Sequence, residues 1–359
     1  MTGIRDFQWH EEALADNLRA LEDYSPEPKD YRGVSIIFGG HSHGAHFVFS
    51  DHARYVPNTS ILLEIKNKQT EEGGVDFLLD AGAGCFESYN RLGISLRNLR
   101  AILISHNHLD HVDDLRRILL MFRPEVLRGE RGPIELIANG TVFRGGAGYP
   151  PLLWGSFFRG AIRKRMLNHG DSVSLFGARV TSVPSHHVEH PERSSTTNSY
   201  RIDIRLADGA VHSLGVLCDG PLVGQEKTKR KVVHVDAIAP MEGVNTLVLY
   251  LGTTSEGPLV PGHDPIFDTA TCLHGARAAL EYLASRECMP DRIFLTHFGA
   301  ETYDIRSAKL SQFLENSGYT TEFDYAADQL DRTLRELGAA TTTVAVPRIG
   351  ERITLMEAL

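Results

Sequence analysis

His106-Asn107-His108-Leu109-Asp110-His111 sets three imidazoles and a carboxylate within six residues, directly behind the apolar run Ala101-Ile102-Leu103-Ile104. The apolar run reads as a buried strand that ends in this polar loop. Imidazole nitrogens and carboxylate oxygens are the usual ligands of zinc and similar divalent metals. His106 and His108 stand two apart and project to one side while the chain stays extended. Asp110 and His111 follow one turn later and can face a second ion. One short loop can therefore feed two adjacent metals, an arrangement suited to hydrolysing phosphoesters and amides. The competing reading is a histidine-rich surface loop; further ligand types at other strand ends weigh against it.

The chain has 359 residues, 42% hydrophobic and 23% charged, an ordinary balance for a soluble globular protein. A net charge of −9 excludes a uniformly basic nucleic-acid surface, though not a local patch. Cys85, Cys218, Cys272 and Cys288 are scattered without a CxxC pair, which suits a reducing cytosol. The first residues show no signal-peptide core, and no apolar run approaches bilayer length. The expected location is cytoplasmic, with no membrane partner.

Leu14, Leu18 and Leu21 fall at helical spacing within residues 8–24, and Pro26 and Pro28 end that helix. Strands are expected at 34–38, 60–65, 77–80, 101–104, 134–138, 179–184, 199–205, 212–218, 246–250, 292–296, 342–346 and 352–355. Helices are expected at 113–122, 271–286 and 325–337, with a helix and connector at 90–100. Strands dominate each half and helices are interspersed. The expected architecture is α+β in αββα layers: two packed, mostly antiparallel sheets with helices on the outer faces. The reading takes 1–359 as one domain, with 1–30 as an N-terminal helical extension. The Gly-, Pro- and aromatic-rich segment 141–170 reads as a lid insertion.

Later strand ends supply more candidate ligands. His186 and His187 follow strand 179–184, Asp219 follows 212–218, and His297 follows 292–296. His274 opens the helix at 271–286. Sheets fix such loops while leaving their polar groups accessible. With the histidine loop, Phe77-Leu78-Leu79-Asp80-Ala81-Gly82 and these strand ends in order, the chain resembles the metallo-β-lactamase superfamily across residues 33–300. The resemblance implies His106, His108 and His187 at one metal, Asp110, His111 and His297 at a second, and Asp219 bridging both. It implies that Asp80 holds the histidine loop from behind. His187 is preferred to His186 because the family's third histidine commonly stands three residues after a proline, here Pro184. His190 is a weaker candidate.

Asn58 to Glu64, and His274-Gly275-Ala276-Arg277-Ala278-Ala279 followed by Leu295-Thr296-His297-Phe298, resemble the branch of transfer-RNA 3′-processing endonucleases and small phosphodiesterases. This implies a dinuclear metal-dependent hydrolase, with zinc expected and manganese or iron as alternatives. Two ions would lower the pKa of a bridging water and supply hydroxide for attack on a phosphodiester. Asp110 would orient the water, and His274 would bind the phosphoryl group or protonate the leaving oxygen. Gly39-Gly40-His41-Ser42-His43-Gly44 departs from the branch's loop, and His41 and His43 become candidates for substrate contact. Leu251-Gly252-Thr253-Thr254 stands where the endonucleases carry a glutamate, which weakens the acid role of His274. Two basic runs, Arg159 to Arg165 and Lys227 to Lys231, could touch phosphates. The expected substrate is a small molecule, cyclic nucleotide or nucleic-acid end, with an intact transfer RNA not favoured. A homo-oligomer, as a dimer, is expected. The rival readings are a lactone, thioester or amide hydrolase using Tyr149, Leu152, Leu153, Trp154, Phe157 and Phe158 as an acyl pocket, and a non-catalytic binding protein.

Overall fold

The computed structural model describes residues 33–41, 57–66, 74–145, 158, 160–187, 197–206, 208–220, 222–225, 231–253, 271–297 and 322–357. The helix expected over 8–24 lies outside them.

Two sheets pack face to face. The first contains β1 (Gly33–Gly40), β2 (Ser60–Lys66), β3 (Val75–Leu79), β4 (Leu99–Ile104), β5 (Ile134–Ala138), β6 (Ile162–Met166) and β17 (Arg352–Glu357), in the order β17-β1-β2-β3-β4-β5-β6. The second contains β7 (Ser172–Leu175), β8 (Ala178–Pro184), β9 (Asn198–Arg205), β10 (Val211–Leu217), β13 (Thr246–Thr253), β15 (Arg292–Thr296) and β16 (Thr343–Ala345), in the order β16-β15-β13-β10-β9-β8-β7. The short β14 (Thr271–Cys272) lies beside β13, and β11 (Val223–Gln225) and β12 (Lys231–Val233) form a separate hairpin. The helices are α1 (Cys85–Arg91), α2 (Leu109–Val112), α3 (Leu115–Leu127), α4 (Gly140–Arg144), α5 (Val235–Ile238), α6 (Leu273–Ser285) and α7 (Glu322–Glu336).

The strands carry apolar residues on both faces because both faces are covered. Val34, Ile36 and Phe38 of β1 enter the core between the sheets, while Ile37 packs under the helices. The same split places Ala101 and Leu103 of β4 inward and Ile102 and Ile104 outward. Continuous apolar runs of this kind mark strands buried on two sides. Helices α1 and α3 cover the first sheet, and α6 and α7 cover the second. The αββα layering is as expected. The sheets, however, are mixed rather than mostly antiparallel: β17 to β3 pair antiparallel and β3 to β6 parallel. In the second sheet, β7 to β10 pair antiparallel and β10 to β16 parallel. Helices between successive strands create crossovers, and a crossover returns the chain in the same direction.

Residues 162–166 of the expected lid form edge strand β6, and 146–157 lie outside the described residues. Phe158 is buried in the helix-side core, which removes it from an acyl pocket. Among the described residues no helix is long and apolar enough to cross a membrane.

Candidate metal centre

β3, β4, β8, β10 and β15 deliver the site from their C-terminal ends. β3 and β4 are parallel neighbours. β8 and β10 both flank β9 antiparallel, and β10 is parallel to β13, which is parallel to β15. His106, His108, Asp110 and His111 leave β4; His187, Asp219 and His297 follow β8, β10 and β15. The structure brings all of these side chains together in two groups.

In the first group, Nε2 of His106 and Nε2 of His187 lie 2.9 and 3.1 Å from Nδ1 of His108. In the second, Nε2 of His111 stands 3.1 Å from Nε2 of His297, 3.4 Å from Asp110 Oδ2 and 3.3 Å from Asp219 Oδ2. His297 Nε2 is 3.5 Å from Asp110 Oδ2. A tetrahedral ion held at about 2.0–2.1 Å by nitrogen and oxygen donors spaces them about 3.3–3.4 Å apart. The observed separations approach that edge length. Asp219 Oδ2 also lies 3.9 Å from Nε2 of His106 and so stands between the groups. Asp219 Oδ1 is 2.8 Å from His297 Nδ1, yet neither carboxylate oxygen receives a hydrogen bond of normal geometry. A buried carboxylate left in that state is costly unless a cation sits against it. The cluster therefore fits divalent metal ions, and its mixed nitrogen and oxygen donors do not single out one metal.

The electrostatics agree. Burial alone would raise the Asp219 carboxyl, but His297 and His111 hold it well below the usual range, as an anion. Burial lowers His111, yet the carboxylates of Asp110, Asp80 and Asp219 outweigh it and hold the ring well above its ordinary value. His106 is pushed well below by burial and by the neighbouring imidazoles of His111, His108 and His187. A pocket that pulls protons onto one buried imidazole is one that a cation can occupy with proton release.

Asp80 and Ser105 hold the loop. Asp80 Oδ2 lies 2.9 Å from His111 Nδ1, and Oδ1 accepts from the Ser105 amide at 2.8 Å. Ser105 Oγ is 3.0 Å from His106 Nδ1. Asp80 and His297 adopt left-handed backbone, φ 57° and 65°, just past their strands. Asp and His are among the few residue types that tolerate it. At Gly82 any side chain would collide with the Asp110 carbonyl, so the Asp-Ala-Gly turn packs directly on the histidine loop. The Tyr250 ring stacks near His297 and His111, at 5.2 and 6.1 Å between centroids.

His186 turns away from the cluster, towards Asp236. His274 lies at the start of α6 and is half-buried. The substrate role expected of His41 is corrected: its ring is buried, with Nδ1 2.7 Å from Thr296 Oγ1 and Nε2 2.8 Å from the Pro347 carbonyl. Burial holds it neutral, at a pKa of about 4. His41 thus braces the turn that carries His297. His43 and His190 lie outside the described residues. Sequence reasoning passed over Ser105 and Tyr250. The signal for Ser105 was its place between the strand and the first histidine; for Tyr250 it was a strand end one sheet position from His297.

The family described as anti-Pycsar protein Apyc1 matches residues 55–142, the stretch containing Asp80 and the histidine loop. Ribonuclease Z of Bradyrhizobium diazoefficiens is 26% identical over 285 residues, 71% of this chain and 91% of that protein. Anti-Pycsar protein Apyc1 of Paenibacillus harenae is 26% identical over 173 residues, 41% of this chain and 67% of that protein. Among solved structures, the metallo-β-lactamase fold protein YhfI from Bacillus subtilis superposes with a TM-score of 0.55 at 12% identity, covering 90% of this chain and 99% of its own. The two mixed sheets, their outer helices and a polar cluster at the shared strand ends thus make this chain a protein of the metallo-β-lactamase fold.

Proposed function

We propose that this chain is a metal-dependent phosphodiesterase. The observation that carries the reading is the pair of donor groups meeting at the buried Asp219 carboxylate, whose oxygens lack a hydrogen bond of normal geometry. In this reading His106, His108 and His187 would hold one ion, Asp110, His111 and His297 would hold another, and Asp219 stands between the two groups. Zinc is the preferred metal, with manganese and iron as alternatives. When bound, the ions supply Lewis acidity and hydroxide near neutral pH.

The residues do the rest. Asp110, half a turn from His108, orients the attacking water through its carboxylate. Asp80 and Ser105 keep the imidazoles turned inward. β14 and β15 both pair with β13, so the strands that precede His274 and His297 share a neighbour. In this reading His274 would contact the phosphoryl group or protonate the leaving alkoxide. The similarity to ribonuclease Z, an enzyme named for acting on RNA, supports a phosphodiester over a lactone, thioester or amide. The substrate class is a cyclic nucleotide, a nucleic-acid end or a small phosphodiester.

Elemental analysis of the purified protein, paired with turnover of bis(p-nitrophenyl) phosphate, tests the reading. About two metals per chain and chelator-sensitive cleavage are expected. Two metals without cleavage of this or any nucleotide diester would transfer the site to lactone, thioester or amide chemistry. The His108→Ala variant should lose both metal and turnover. His274→Ala should keep its metal and lose about 10²–10⁴-fold in turnover; an unchanged rate would remove His274 from the reaction.

A further inference from the structure

His186, His234 and Asp236 form another group of ligand-type side chains, separate from the interior cluster, with donor atoms within 4.8 Å of one another. Nε2 of His186 lies 2.9 and 3.0 Å from the two Asp236 carboxylate oxygens. The His186 and His234 rings stack with centroids 3.8 Å apart and an interplanar angle of 18°. The residues come from two places: His186 from the loop after β8, and His234 and Asp236 from the cap and first turn of α5.

The backbone beneath them is fixed. Ala237 and Ile238 of α5 are buried in the core outside the second sheet, and the His234 amide donates to the Leu222 carbonyl at 2.9 Å. The side chains are open by comparison, 31% exposed at His186 and 57% at Asp236. An ion can reach them from solvent. The two rings must turn out of their stack for their lone pairs to converge, and the donors, now within 4.8 Å of one another, must close to the spacing of about 3.3 Å that a tetrahedral ion requires.

We propose that His186, His234 and Asp236 bind a further divalent transition-metal ion at the surface, with water completing its coordination. Two imidazoles and one carboxylate suit zinc, nickel or copper; magnesium and calcium take oxygen ligands instead. Partial exposure makes this site weaker than the buried cluster. It is also continuous with that cluster through the backbone. The amides of His186 and His187 pack against Gly220, where any side chain would collide with Ser185 Oγ. Ser185 Oγ in turn donates to the Asp219 carbonyl. An ion on His186 therefore bears on the peptide that carries His187 and on the residue beside Asp219. The proposal is independent of the substrate assignment.

The test is equilibrium dialysis of the full chain against rising zinc chloride, with ions per chain read by elemental analysis. Wild type should take up one ion more than His234→Ala and one more than Asp236→Asn. The extra ion should appear at higher free zinc than the buried ones. Should His234→Ala fail to fold, the near-isosteric Asp236→Asn decides. Identical uptake by wild type and the folded variants across the titration would overturn the proposal. Failure of the buried cluster to bind metal would lower all the proteins alike and so be distinguishable.

Discussion

The Asp80 carboxylate divides its two oxygens between the His111 ring and the Ser105 amide, and so fixes both ends of the histidine loop. Carboxylates that orient ligating imidazoles change metal affinity by about 10–100-fold when removed. Asp80→Ala should weaken metal binding by that factor, read by competition with a chelator, while circular dichroism shows the fold intact. Ser105→Ala should do less, because the Ser105 amide still donates to Asp80 after the hydroxyl is gone. An equal loss in both variants would mean that the hydroxyl, through its approach to His106, is the main brace. The left-handed backbone at Asp80 and His297 costs about 1–3 kcal/mol per residue, and the surrounding turns must hold it. Asp80 could be singled out in the sequence because Phe77-Leu78-Leu79-Asp80-Ala81-Gly82 resembles the strand and Asp-x-Gly turn of the metallo-β-lactamase superfamily. The inward turn of His41 could not, because its partners, Thr296 and Pro347, lie more than 250 residues away.

At the scale of elements, strands buried on two faces announced themselves as apolar runs, and β1, β2, β4 and β5 fall where those runs lie. Strand β6 did not, because its sequence Ile162-Arg163-Lys164-Arg165-Met166 reads as a basic phosphate patch. Arg163 and Arg165 instead meet the two oxygens of buried Glu135 on the adjacent strand, at 2.8 and 2.9 Å. Charged side chains on an edge strand also discourage pairing with other chains. Helix α1 lies N-terminal to the helix expected at 90–100 and ends at Arg91, with Gly93, φ 68°, just beyond its cap. Its buried face of Cys85, Ser88 and Tyr89 is too short and polar to show a periodic stripe. One strand position makes a pH prediction. Burial, and then the facing Glu64, raise the Asp76 carboxyl from 3.8 to about 8. Between those values the unfolded chain releases the proton and the folded chain keeps it, so stability falls as pH rises. Asp76→Asn should flatten that decline in a series of Tm measurements from pH 4 to 8. Parallel curves for variant and wild type would show that Asp76 ionises freely.

On the scale of the whole molecule, the donor groups join loops from both sheets: His106 to His111 come from the first, and His187, Asp219 and His297 from the second. Ions bound there would tie the sheets together, and their binding free energy would add to folding. At a free metal concentration 1,000-fold above Kd, one site contributes about 4 kcal/mol. Chelation should therefore lower Tm, and restored metal should raise it again in a concentration-dependent way; a Tm indifferent to metal would place the cluster outside the folding equilibrium. The first sheet has a different closing strand. β1, the first strand described, pairs on one side with β2 and on the other with β17, the last. Synthesis at about 5–20 residues per second leaves that flank of β1 bare while everything between is made. During translation the nascent chain must therefore shelter an unpaired hydrogen-bonding edge on the ribosome. A stop codon before Arg352 would make that exposure permanent, and aggregation of the truncated product is its natural outcome.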